Sequence, residues 1–398
     1  MRIAHIITRL ILGGAQENTL LSCEDLMRIY GDDVLLITGP PLGPEGSLLE
    51  RARAGGIPLV IIPQLRRAIH PWRDLASYYQ IKRAIRDFRP DVVHTHSAKG
   101  GILGRAAANA LGVPAIVHGV HGAPFHPYQG RGAREFFRLC ERWAATKCHA
   151  FVSVADAMTE LMVNAHVAPL EKFTTIYSGM EVEPFLEADK LRDRARQELG
   201  YKPEHIVVGK VARLFHLKGH EYLIQAARQV VAAMPKARFL LVGDGLLAEP
   251  LKQQIAAAGL EQYFHLTGLV PPARIPQLIS AMDIVVHASL REGLARVLPQ
   301  ALIAGRPVIS YDVDGAREVV LPNRTGFLLP PKSVDELTTA ILLLAADANL
   351  RTQMGMEGRR RFTDVFRHET MTAQLRALYE RLLGTTAEAR QSSDSGKA

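Results

Sequence analysis

Cysteine is scarce in this chain: Cys23, Cys140 and Cys148 are its three cysteines in 398 residues. Their spacing makes neither a disulfide framework nor a zinc pattern, which points to a reducing compartment, the cytosol. Long apolar runs are missing too. No stretch reaches the roughly 18 apolar residues that span a bilayer. The first residues, MRIAHIITRLILGGAQ, lack a clean cleavage site and read as a buried strand running into a glycine loop, not as a leader. With 47% hydrophobic and 22% charged residues, the composition excludes whole-chain disorder, collagen-like repeats and coiled coil. What remains is an ordinary globular chain, long enough for about two or three domains with large cores.

Charge is the first positive signal. The net balance is +8, and residues 51–150 hold sixteen Lys and Arg against five Asp and Glu. Such a block suggests an anionic partner, set against the plainer reading of a solvated basic face. Nucleic acid is the weakest candidate, since neither a zinc pattern nor an RNA-binding signature accompanies the charge.

The chain then alternates short apolar runs with helical patterns. MRIAHIIT, DVLLITG, PLVIIPQL, DVVHTHS, AIVHGVHG and AFVSVA read as strands of a first α/β domain. A polar stretch near 178–205 marks a boundary. IVVGKVAR, RFLLVGDG, FHLTGLV, DIVVHAS, RPVISYDV and GFLLPP then read as strands of a second. Continuous apolar strands separated by helices predict doubly wound parallel sheets, with ligands beyond the carboxyl ends of the strands and a cleft between the domains as the default site. The boundaries expected are 1–185 and 186–370, a helix at 371–384 and a disordered polar tail at 385–398.

The second half holds the most specific chemistry. KVARLFHLKGHEYLI places Arg213 and Lys218 in a loop that leads into a helix, a natural seat for a diphosphate. The Gly243-Asp244-Gly245 turn lets a backbone approach a ligand, or is simply a tight strand–helix turn. In HASLREGLARVLPQALIAGRPVI, Glu292 and Gln300 are spaced to share one side of a strand–helix segment. A carboxylate there suits recognition of sugar hydroxyls.

The order of these motifs resembles the retaining glycosyltransferases of family 4. The resemblance rests on VARLFHLKGHEYLI, LLVGDG, the Gly268 turn, HASLREGLARVLPQALIAGRPVI, Gly315-Ala316-Arg317-Glu318 and NRTGFLL. In the first half ILGGAQ, RPDVVHTHSAKGGILGR and HGVHG carry it, so that it covers roughly residues 1–370. It implies the GT-B fold: two Rossmann-like doubly wound domains facing a central cleft, with the C-terminal helix crossing back to the first. The first domain would bind the acceptor and the second the nucleotide sugar. Arg213 and Lys218 resemble the pair that holds the donor diphosphate, and His121 the histidine facing the transferred sugar. Glu292 resembles the first glutamate of the Glu-x7-Glu pattern, beside the donor sugar and phosphate. The second glutamate, which binds ribose, is here Gln300, which loses a charge-assisted bond but still accepts from a hydroxyl. Gly13 and Gly14 resemble the glycine loop near the donor phosphate, with Gly243, Gly268, Gly293 and Leu294 also on the donor side. Gln16 stands where many relatives have glutamate, and with His96 and Lys99 it would lie toward the acceptor. Of His94 and His96, one is expected to line the cleft and the other to be structural.

The activity implied is transfer of a hexosyl-type sugar from a nucleotide diphosphate sugar to an acceptor hydroxyl with retained configuration, without a metal cofactor. The setting implied is polysaccharide, lipopolysaccharide or glycolipid synthesis. A sugar or a lipid-linked acceptor on the cytoplasmic membrane face would suit the basic block. Lys82, Arg83, Arg86 and Arg89, with Trp72, Tyr78 and Tyr79, would form an interfacial surface, unless the tyrosines are core. Two rivals share the fold: a nucleotide-sugar epimerase, and a non-catalytic binding relative marked by Gln300.

Overall fold

The computed structural model describes residues 1–43 and 46–395. It divides into two compact units, Met1–Met180 together with the chain from Phe366 onward, and Glu181–Val365.

The first unit is built on seven parallel strands: β1 (Arg2–Ile7), β2 (Asp33–Thr38), β3 (Leu59–Ile61), β4 (Val92–His96), β5 (Ala115–Val120), β6 (Ala150–Ser153) and β7 (Phe173–Thr175). Their order is β3-β2-β1-β4-β5-β6-β7. Strand order therefore reverses between β1 and β4, whose register pairs His5 with His94 and Ile7 with His96. Near-continuous apolar strands need cover on both faces, and helices supply it. One core joins Ile3, Ile7, Val92 and Val117 of the sheet to Leu20 and Leu26 of the helix Gly14–Tyr30 and to Leu375 and Tyr379 of the last helix. That last helix, His368–Ser395, is fastened to this unit by polar contacts as well. Asp25 Oδ2 meets His368 Nδ1 at 2.7 Å and accepts from Thr372 Oγ1 at 2.9 Å. Arg376 Nε donates to Asp32 Oδ2 at 3.1 Å.

The second unit has six parallel strands: β8 (Ile206–Val211), β9 (Ala237–Val242), β10 (Phe264–Leu266), β11 (Ile284–His287), β12 (Val308–Tyr311) and β13 (Gly326–Leu329). Their order is β10-β9-β8-β11-β12-β13, reversing between β8 and β11. Val208, Phe239, Leu241, Ile284 and Ile309 form the sheet side of its core, with Leu223, Ile224, Ile341 and Leu344 from covering helices.

Three details differ from the sequence reading. The strand β7 had no expectation, because FTT is short and only half-buried. The segment PLVIIPQL yields only a three-residue edge strand, paired on one side by β2. The segment 385–395, read as disordered tail, continues the helix His368–Ser395; residues 396–398 lie outside the described residues. Among the described residues no helix is long and apolar enough to cross a membrane.

Candidate active site

In an open parallel sheet, ligands bind beyond the carboxyl ends of the strands where strand order reverses. In the second unit that point is the pair of loops leaving β8 and β11. Arg213 and Lys218 lie on the first loop, Glu292 on the second. Lys218 Nζ forms an ion pair with Glu292 Oε1, and His287 Nε2, at the end of β11, lies 3.5 Å from the same oxygen. Asp314 Oδ2 accepts from the Glu292 backbone N–H at 2.6 Å, from a left-handed residue with φ of 48°. Burial alone would push the Glu292 carboxyl up. The contact with His287 and the charge of Lys218 outweigh it and hold the group well below the usual carboxylate range. A fixed carboxylate and a fixed ammonium thus meet at the switch point.

The β8 loop is held in shape from several directions. Leu217 is left-handed at φ 65°, and its carbonyl accepts from Leu290 N–H at 2.8 Å. Gly219 is also left-handed, and a Cβ there would stand 1.8 Å from the Ala288 carbonyl oxygen. His220 Nε2 lies 3.0 Å from the Arg213 carbonyl oxygen, so this nitrogen carries the proton and donates. Burial pushes the His220 imidazole down to about 3, so it stays neutral. Arg213 lays its guanidinium 5.0 Å from the centre of the Phe215 ring. The glycines of LLVGDG serve the same loop. A Cβ on Gly243 would come within 2.2 Å of the Ala212 oxygen, and one on Gly245 within 2.5 Å of the Leu214 oxygen. Gly268 is left-handed with open space around it, and its carbonyl accepts from Gly243 N–H at 3.2 Å.

In the first unit the switch point lies between β1 and β4. Gly13 precedes the helix Gly14–Tyr30 as its N-cap, in extended backbone. Thr8 after β1 and Ser97 after β4 share a 2.6 Å hydroxyl–hydroxyl bond, and Thr8 Oγ1 also accepts from Gly100 N–H at 2.8 Å. Beneath them lies a layer of imidazoles. His5 Nδ1 meets His96 Nε2 at 3.1 Å, and His96 Nδ1 meets His121 Nε2 at 3.0 Å. His94 Nδ1 meets the Tyr379 hydroxyl at 2.6 Å. Burial holds His94 and His96 well below the ordinary imidazole range and pushes His5 down to about 3, so the layer is neutral. Donor atoms of His5, His94 and His96 lie within 4.8 Å of one another, close enough to consider a metal. Both nitrogens of His96 are committed to hydrogen bonds, while His5 Nε2 and His94 Nε2 are buried with no partner among the described residues.

Comparison with known proteins follows the same division. Residues 192–361 match the family model for glycosyl transferases group 1, and residues 13–179 match a glycosyl transferase 4-like domain. The chain belongs to the group 1 glycosyltransferases of the family-4 type. It is 28% identical over 350 residues to the UDP-Gal:alpha-D-GlcNAc-diphosphoundecaprenol alpha-1,3-galactosyltransferase of Escherichia coli, covering 87% of this chain and 88% of that one. It is also 28% identical, over 66% of this chain and 70% of the relative, to the alpha-D-kanosaminyltransferase of Streptomyces kanamyceticus. Its fold is that of Anabaena HepE, solved with UDP and glucose. There the TM-score is 0.81 at 22% identity, over 96% of this chain and 99% of the other.

Within this glycosyltransferase the expected site residues separate into groups. Arg213, Lys218, Glu292 and Gly293 share the β8–β11 switch point, Gly293 accepting from Gly315 N–H at 2.9 Å. Leu294 and Gln300 are half-buried on the segment that follows, Gln300 within the helix Val297–Ile303. Gly13, Gly14 and Gln16 gather at the first switch point, at the start of their helix. His96 is buried and reaches outward only through His121, so it sits behind the surface where an acceptor-side residue was expected. His94 is equally buried. Lys99 is engaged with Asp74, its Nζ 2.6 Å from Oδ1, and with the Ala68 carbonyl. Residues without a sequence expectation complete both sites: Asp314 as an acceptor, Lys210, His5 and Tyr379.

Proposed function

We propose that this glycosyltransferase moves a sugar from a nucleotide diphosphate sugar to an acceptor hydroxyl of a growing glycan, with retention of configuration. The observation that carries this is the meeting of Lys218 and Glu292 at the β8–β11 switch point, on the loop that also carries Arg213. Negative charge grows on the diphosphate as the glycosidic bond breaks. Arg213 and Lys218 would stabilise it there, which is electrostatic catalysis in place of a metal. Glu292 would hold the donor sugar. The acceptor oxygen would attack the same face that the diphosphate leaves, passing its proton to the departing phosphate. The names of the relatives support this reading: UDP-Gal stands in that of the E. coli protein, and HepE was solved with UDP. Thermal shift against UDP, GDP, ADP and CDP with their sugars tests it. A ligand at 100 times its Kd adds about 2.7 kcal/mol to stability. One nucleotide should stabilise the wild type and lose that effect in Arg213→Ala; stabilisation by none of them defeats the reading.

We further propose a lipid-linked acceptor met at an anionic membrane surface. The helix Pro71–Phe88 exposes Trp72, Leu75 and Tyr79, and Arg83 and Arg86 are exposed on the same helix. The helix Arg131–Ala145 exposes Phe136, Leu139 and Trp143 beside Arg131 and Arg142. Lys147 holds its Nζ 6.0 Å from the Trp143 ring centre. The helix Ala98–Ala110 packs against both. Exposed aromatic residues set among arginines are the pattern of a surface that sinks partway into headgroups. The chain should sediment with phosphatidylglycerol vesicles and not with phosphatidylcholine alone. Phe136→Ser with Trp143→Ser should abolish this; unchanged sedimentation would remove the platform from the proposal.

A further inference from the structure

Lys210 lies inside β8 and is 1% exposed. Its Nζ meets no hydrogen-bond partner among the described residues. A buried ammonium without an acceptor is strongly unfavourable, and hydrocarbon in its place would cost nothing of the kind. The groups that act on it come from every side of the donor loops. They are Lys218 on the loop after β8, Glu292 on the loop after β11, and Glu221 in the first turn of the helix His220–Ala233. His220 and His287 complete the shell, both depressed by burial. Burial first, and then the charge of Lys218, drive the Lys210 ammonium down to about 7, against the pull of Glu292 and Glu221. Glu292 therefore has three cations within electrostatic reach: Lys218, Lys210 and the neighbouring Arg291. Lys218 holds the carboxylate directly; Lys210 stands behind, with no hydrogen-bond partner for its Nζ among the described residues.

We propose that Lys210 is the reserve cation of the donor site: when a diphosphate draws Lys218 away from Glu292, Lys210 takes up a proton and balances the carboxylate. This rests on the donor-site reading above. The step is simple in its balance. One proton passes from solvent to Nζ, and no bond between heavy atoms forms or breaks. The physical reason is that, with Lys218 drawn off, Glu292 keeps only Arg291 beside it, a cation that Asp314 also shares, and a carboxylate short of positive charge in a mostly buried pocket carries a heavy cost. The incoming phosphates add negative charge and also raise the affinity of Lys210 for the proton. Donor binding and proton binding then favour each other, and the coupling is reciprocal. Lys210 acts through Glu292 and is a positioning residue; nothing requires it to touch the donor.

Isothermal titration of the full chain with UDP tests this, with GDP and ADP tried in turn, in buffers of different ionisation enthalpy. At about pH 8, where Lys210 is mostly neutral, binding should take up most of one proton. At about pH 6, where Lys210 is already charged, the difference between wild type and Lys210→Met should vanish. Between about pH 7 and 9 the wild-type Kd should weaken by up to tenfold per pH unit, and that slope should be absent in Lys210→Met. Binding without proton uptake at pH 8 overturns the inference and leaves the donor site standing. Uptake that persists in Lys210→Met also overturns it, because Glu292 or a histidine would then be the acceptor. Failure of every nucleotide to bind overturns the donor-site reading and this inference together. The wild-type buffer series needs no variant, so the proton count does not depend on how well the Met side chain packs.

Discussion

Lys218 and Glu292 stand 74 positions apart in the chain and form one ion pair, each on the loop that leaves a central strand. Neither strand makes the pair alone; it exists because β8 and β11 are neighbours at the point where strand order reverses. The pair is a site held ready. Lys218→Met should weaken nucleotide binding by roughly 10- to 100-fold, about 1.4–2.8 kcal/mol. Glu292→Gln should bind the bare nucleoside diphosphate nearly as well as wild type yet lose transfer. Calorimetry and a transfer assay on the same preparations separate the two. Equal losses in both variants would mean that the pair serves only the fold.

Gly219 and Gly268 are both left-handed, yet they should respond differently to alanine. At Gly219 the added methyl would stand 1.8 Å from the Ala288 oxygen; at Gly268 it would meet nothing within 4 Å. Gly268→Ala should therefore cost only the backbone term, about 1–2 kcal/mol. Gly219→Ala should cost more than that and should also loosen the Lys218 loop, lowering nucleotide affinity. Urea melts of both variants decide it, and similar midpoints for the two would refute the distinction.

Much of this was legible in the sequence because the signals are local. Strands bounded by glycine and aspartate announce themselves, and Arg213, Lys218 and Glu292 sit in loops next to strand ends. What was not legible depends on register and on distant packing. His94 meets Tyr379 across 285 positions only because the last helix returns to the first sheet. His96 reads as a site residue from its position at a strand end, but the pleat turns it inward onto His5. Lys210 looks like one more lysine in IVVGKVAR; only the strand's alternation and its two paired neighbours, β9 and β11, bury it. Lys99 reads as a cation for the site, and Asp74 on another helix takes it.

A fully buried ion pair joins two helices of the first unit. Arg105 Nη2 donates to Glu141 Oε2 at 2.7 Å, and Arg105 Nε donates to the Gly101 carbonyl at 3.0 Å. The guanidinium also lies 5.8 Å from the centre of the Phe151 ring. Removing one partner strands the other's charge, so Glu141→Ala should destabilise the unit by about 3–5 kcal/mol. The double variant Arg105→Met with Glu141→Leu should lie much closer to wild type, since paired apolar groups remove both desolvation costs. A double-mutant cycle by chemical denaturation measures this. A double variant as unstable as the sum of the singles would show that the two side chains act independently.

Lys210 gives the stability of the second unit a pH signature. Its ammonium ordinarily loses a proton at 10.5, and in the fold it does so at about 7. Between those values the unfolded chain holds more protons than the folded one, so stability rises with pH. The slope reaches up to about 1.4 kcal/mol per pH unit. Below about 7 both states are protonated and the full cost of the buried charge is present. Lys210→Met has no such charge. The variant should therefore be more stable than wild type at pH 6, on the order of 2–4 kcal/mol, with the gap closing steadily toward pH 9. Subtracting the two melting curves cancels the titrating groups that do not sense Lys210 and leaves Lys210 with its electrostatic neighbours, among them Lys218, Glu292, Glu221, His220 and His287. Parallel curves across this range would mean that Lys210 keeps its charge inside the fold, and that something other than the described residues balances it.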